Sequence, residues 1–146
     1  MLYFGLYQFV RPGKASTSYG LIHGGEMTLF DPSRNLAVYS DLAAAEGAAI
    51  KRTCETHLQA DYISGSRAIA ATTGAEVLAN DGDFAEATFA HHAVLDGERF
   101  SVGGGPEVRA VHPPGHTPGS TSYVVDERYI ITGDTVFIRS VGKPDL

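Results

Sequence analysis

A chain of 146 residues, 43% hydrophobic and 19% charged, holds the material of one domain around a single modest core and excludes a disordered or collagen-like polymer. Eleven Lys and Arg stand against seventeen Asp and Glu, a formal charge of −6, which lacks the basic footprint of a nucleic-acid or anionic-membrane binder and favours a small-molecule partner. Cys54 is the single cysteine, so no intrachain disulfide and no cysteine-based zinc cluster can form, and within its apolar run it reads as a small buried hydrophobe.

The opening MLYFGLYQFV is broken by Gly5 and Gln8 and has no preceding positive charge, and nowhere do roughly 18 apolar residues run together. The expected location is cytoplasmic. Residues 2–10 and 17–23 are rich in Tyr, Phe, Val and Ile, and His23-Gly24-Gly25-Glu26 separates the second run from Met27–Phe30, which predicts strands joined by a hairpin. Asp31-Pro32 ends this meander. Helical spacing over Leu36–Gly47 is followed by a strand over Ala48–Glu55, a β-to-α-to-β passage.

Residues 56–63 form a polar loop, and Ser64-Gly65 is placed to begin a short helix that runs to Thr73 and closes at Gly74. A short strand over Ala75–Ala79 and a turn over Asn80–Asp83 follow. Strands are then expected near 99–102 and 106–112 and, as a hairpin turning at Asp126-Glu127, over 120–133. Gly103-Gly104-Gly105 lacks the strand-to-helix setting of a phosphate loop and reads as a hairpin connection. His91-His92 fall on a strand with opposite facings and are treated as structural. Early strands, interposed helices and a strand-rich second stretch define an α/β layered fold.

Three places put a metal-ligand residue type where a predicted strand gives way to a loop: His57 in ETHLQADY, His116 in HPPGHTPGS and Asp134 in TGDT. Side chains at such ends converge without sacrificing core packing. Pro113-Pro114 and Pro118 stiffen the backbone around His116, either as a plain double turn or to hold one imidazole in a fixed direction. His112, four residues earlier on a strand, either leans toward the site or, as the favoured reading, is a supporting or buried residue.

In this order the motifs resemble those of the metallo-β-lactamase superfamily: THLQAD lies where the family has T-H-x-H-x-D-H, PPGHTPGS resembles its P-G-H-T-P-G-S loop, and TGDTVF its G-D-T-L-F segment. The resemblance covers nearly the whole chain. It sharpens toward the persulfide dioxygenase branch, including rhodanese-fused members, through Glu55-Thr56-His57, Ser64-Gly65-Ser66 and the closing VGKPDL. In the dinuclear hydrolases of the family, the positions of Gln59 and Tyr62 are histidines that serve the metals. What persists is His57, His116 and Asp134, which the resemblance implies to be the ligands of one Fe(II) per chain, with Zn(II) as the alternative. Such a set leaves about three positions of an octahedral ion open.

The resemblance implies an αββα sandwich over residues 1–146 and oxidation of a low-molecular-weight persulfide by O2 to sulfite and thiol. Its alternatives are a zinc thioester hydrolase of the glyoxalase II kind and a non-catalytic module of the same fold. Asp61 is expected either to orient a ligand imidazole or to cap its loop. Tyr62 is expected either to bring a hydroxyl to the substrate or to pack at the pocket rim. Thr117, beside His116, and Lys143 are the expected substrate contacts, although Lys143 stands where the branch has arginine and cannot give a bidentate grip on a carboxylate. Because the family domain has two similar halves, the chain is expected to be incomplete within the second. The sheets' inner faces would then lack cover, so that either the chain is expected to be part of a longer protein, with a rhodanese domain downstream as one form of it, or another chain completes the sandwich.

Overall fold

The computed structural model describes residues 4–10, 17–57, 65–80, 91–112, 121–132 and 136–138. Strands β1 (Gly5–Val10), β2 (Thr17–His23) and β3 (Glu26–Phe30) form the predicted antiparallel meander. Helix α1 (Leu36–Ala45) then leads to β4 (Ala49–Cys54), and helix α2 (Ser66–Thr73) to β5 (Glu76–Ala79). Strands β3, β4, β5 and β6 (His92–Ala93) run parallel, so their C-terminal ends share one edge. Of the two histidines assigned to a strand, only His92 lies in one. Exposed itself, it pairs with the half-buried Glu98, whereas His91 precedes β6.

The second sheet comprises β7 (Arg99–Ser101), β8 (Glu107–Val111), β9 (Ser122–Val125), β10 (Tyr129–Ile131) and β11 (Val136–Ile138), in the order β11-β10-β9-β8-β7 and wholly antiparallel. Strand β11 falls within a stretch that the sequence did not mark as a strand. The predicted hairpin turn holds: Arg128 N–H donates to the Val125 carbonyl at 3.0 Å, with Asp126 and Glu127 both at positive φ. Among the described residues no helix is long and apolar enough to cross a membrane.

Period-two alternation sorts the strand side chains into two cores. Ile22, Met27, Leu29 and Ile50 face the helices, where Tyr39, Ala43 and Ile69 cover them. Tyr19, Leu21, Phe30, Cys54 and Leu78 face the second sheet and meet Val108, Ala110, Tyr123, Val125 and Ile131. The expected bare inner faces are therefore absent among the described residues. Both sheets form within this chain and bury each other's apolar side chains, and among the described residues the large hydrophobics left exposed are Val10, Val38 and Leu95, which lie apart in the sequence.

Local chemistry sets the ends of these elements. Gly74 closes α2 in the left-handed region, where the absence of a Cβ removes the usual penalty. Gly65 stands at the start of α2 with no side-chain cap, and its N–H instead donates to the Pro32 carbonyl at 2.8 Å. The same loop is held from α1: the buried Tyr39 hydroxyl accepts from Ser33 N–H at 2.7 Å and lies 2.8 Å from the Ser18 hydroxyl.

Candidate functional site

The predicted site begins where β3 and β4 stop side by side. Asp31 follows β3 at φ +52, a conformation uncommon outside glycine, and donates its N–H to the Cys54 carbonyl at 2.8 Å. This turn carries its carboxylate beneath the end of β4. Thr56 then donates twice to it, backbone N–H to Oδ1 at 2.8 Å and hydroxyl to Oδ2 at 2.7 Å. Asp31, Glu55 and Thr56 are each under 5% exposed, so these bonds satisfy polar groups that water does not reach. The next residue, His57, is half-buried, with Nδ1 2.8 Å from the Thr56 hydroxyl oxygen.

Burial pushes the Glu55 carboxyl well above the usual carboxylate range, and the adjacent Asp31 charge pushes it further. Burial also raises Asp31, against the hydrogen bonds from Thr56 that lower it. Glu55 is thus the more strongly raised of the two, because the Thr56 hydrogen bonds offset the effect of burial at Asp31. Cys54 is fully buried and its thiol is raised by that burial, which agrees with a packing role rather than a nucleophilic one.

Two bonds bring the second sheet to this end. Thr121 donates its N–H to the Thr56 carbonyl at 2.8 Å, and the buried Tyr123 hydroxyl donates to the Glu55 carbonyl at 2.9 Å. Strand β9 starts here, directly after the segment that contains His116. Strand β10 ends here, since Ile131 pairs with Tyr123, and it leads into the segment that contains Asp134. The chain thus delivers the ends of the three motif-bearing segments to one edge of the sandwich. His112 joins the sheets at that edge, its Nε2 2.8 Å from the Asn80 amide nitrogen and its N–H donated to Asp96 at 2.9 Å. This is the supporting role expected of it.

Of the residues singled out in the sequence, His57 is described. His116, Asp134, Asp61, Tyr62, Thr117 and Lys143 lie outside the described residues. Among the described residues no three His, Cys, Asp or Glu side chains gather as a metal site. What is described fits a cation: a half-buried imidazole at a strand end, backed at one remove by a buried carboxylate that favours positive charge nearby. Sequence reasoning read Asp31 only as a strand terminator and Glu55 only as part of the Glu55-Thr56-His57 motif, and gave neither carboxylate a role in the site. The available signal was a carboxylate at the apolar end of each of two strands, where a solvated side chain has no place.

A sequence profile described as the metallo-beta-lactamase superfamily matches residues 12–146, and the chain belongs to that superfamily. A hydroxyacylglutathione hydrolase of Anaeromyxobacter dehalogenans is 39% identical over 134 residues, 91% of this chain and 51% of that protein. One of Acidiphilium cryptum is 31% identical over 121 residues, 83% of this chain and 49% of that protein. The chain spans about half the length of the curated relatives it matches. Among solved structures, a metallo-beta-lactamase from Staphylococcus aureus subsp. aureus COL superposes with TM-score 0.81 at 29% identity, covering 98% of this chain and 47% of that one. ETHE1 from Myxococcus xanthus superposes with TM-score 0.77 at 25% identity, covering 97% and 62%.

Proposed function

We propose that this chain carries the metal centre of a mononuclear non-haem Fe(II) dioxygenase that oxidises a low-molecular-weight persulfide, with His57, His116 and Asp134 as the ligands. One observation carries the reading. Gln59 and Tyr62 occupy the positions that supply metal-binding histidines in the dinuclear hydrolases of the family, one to each metal, so a two-cation site lacks a nitrogen donor at each cation. The likeness to ETHE1 over nearly all of the chain supports the same branch.

Two neutral imidazoles and one carboxylate leave Fe(II) with a formal charge of +1, which attracts a persulfide anion through its soft terminal sulfur. Bound there, Fe(II) would supply the activation of dioxygen; the outer sulfur gains both oxygen atoms of O2, and water provides the third as the S–S bond is hydrolysed to release sulfite and the thiol. The protein's own part is placement. His57 offers a nitrogen donor from the rigid end of β4, Asp61 orients a ligand imidazole, and Tyr62 and Thr117 border the substrate. Lys143 offers a point charge to a carboxylate of the thiol carrier, a looser grip than arginine gives.

The names of the relatives favour a second reading, a zinc thioester hydrolase using the same three ligands and a metal-activated water. Metal analysis and oxygen uptake separate the two. Anaerobically purified protein is expected to hold close to one iron per chain and to consume oxygen when given glutathione persulfide. Bound zinc, thioester turnover and no oxygen uptake would refute the dioxygenase and establish the hydrolase.

A further inference from the structure

We infer that Asp31 is a positioning residue for His57: through the Thr56 hydroxyl it fixes the neutral imidazole with its proton on Nδ1 and its lone pair on Nε2. A hydroxyl has one proton to give and lone pairs with which to accept. The Thr56 oxygen lies 2.7 Å from Asp31 Oδ2 and 2.8 Å from His57 Nδ1. Oδ1 of the same carboxylate already accepts the Thr56 N–H. The carboxylate therefore takes the hydroxyl proton. The hydroxyl oxygen is left to accept, and what it accepts is a proton carried by Nδ1. A free imidazole in water favours the opposite tautomer, so the buried Asp31 and Thr56 impose a choice that the histidine alone does not make.

The consequence for metal binding rests on the ligand role proposed above. A ring nitrogen bonds a cation only through a lone pair, and a partner that holds the other nitrogen's proton commonly sets metal affinity by roughly ten- to a hundredfold. Asp31 never touches the metal in this arrangement. It acts through Thr56.

The test is the 15N shift pair of His57 in the 146-residue chain carrying 15N-histidine, chelator-treated and then given Zn(II). Wild type and Thr56→Ser are expected to show a protonated Nδ1 and an unprotonated Nε2. In Asp31→Asn the amide oxygen must still accept Thr56 N–H, so its NH2 faces the hydroxyl, which turns to donate to Nδ1. The proton is then expected on Nε2. Thr56→Val, which keeps the shape and removes the hydroxyl, is expected to lose the Nδ1 preference and to weaken Zn(II) binding at least tenfold. A wild-type ring protonated on Nε2 overturns the inference even if no variant folds. So does a Thr56→Val ring indistinguishable from wild type. A ring protonated on Nδ1 that does not respond to Zn(II) upholds the tautomer and overturns the ligand assignment instead.

Discussion

Thr121 donates its backbone N–H to the carbonyl of Thr56 across 2.8 Å, one residue before His57 and directly after the segment that holds His116. With the Tyr123 hydroxyl on the Glu55 carbonyl, this bond makes the position of β4's end depend on the second sheet. Tyr123→Phe keeps the ring packed 5.4 Å from Phe30 and removes only the donor. The buried carbonyl then loses a partner, and a stability loss of about 1–3 kcal/mol is expected in urea denaturation.

The opposite end of the sandwich is closed by backbone. Gly103 N–H donates to the Glu26 carboxylate, and a Cβ on Gly103 would stand 1.9 Å from the His23 carbonyl oxygen at φ +56. Its neighbour Gly104 has φ +70 and nothing within 4 Å of its Cβ position. Gly104→Ala should therefore cost only left-handed strain, about 1–2 kcal/mol. Gly103→Ala adds a clash between two chain segments that cannot rotate away, for about 2–5 kcal/mol in total. Equal urea midpoints for the two variants would show that the hairpins do not meet as described.

Stability should also fall as pH rises. The unfolded chain releases the Glu55 proton near about pH 4.3, whereas the folded chain keeps it higher because of burial and the Asp31 charge. Folded protein then binds more protons than unfolded, and the stability that this difference contributes declines from about pH 4.3 upward toward the raised value of Glu55. Glu55→Gln removes the titration and should flatten the slope of unfolding free energy between pH 5 and pH 8. An unchanged slope would place the dependence elsewhere.

Restoring the lost histidines tests the one-metal reading. The double substitution Gln59→His and Tyr62→His recreates the nitrogen donors of the dinuclear hydrolase motif, and the expected result is uptake of two Zn(II) per chain in place of one, read by metal analysis after dialysis. A stoichiometry that stays at one would show that those side chains do not reach a second metal position.

The elements themselves were legible because each rests on near neighbours. Alternating apolar residues gave β2 and β3, Gly74 and Gly47 marked where helices stop, and Asp126 marked the turn of the last predicted hairpin, since Asp, like Gly and Asn, tolerates left-handed backbone. His57 was legible for a related reason, as one member of a motif whose residue types follow from the chemistry of metal coordination. Strand β11 was not, because three residues lack a period of their own and pair only where β10 offers an edge.

The support beneath His57 belongs to a different order of information. Asp31 and Thr56 lie 25 positions apart and Glu55 and Tyr123 lie 68 apart, and no local propensity connects either pair. They meet because β3 and β4 run parallel and end together, and because the second sheet folds over the first. An Asp after a strand is ordinarily a solvated turn residue. Here the crossing of the chain removes water from it and leaves the Thr56 donors in its place, which turns a residue that reads in the sequence as a strand terminator into the buried anchor of a candidate ligand.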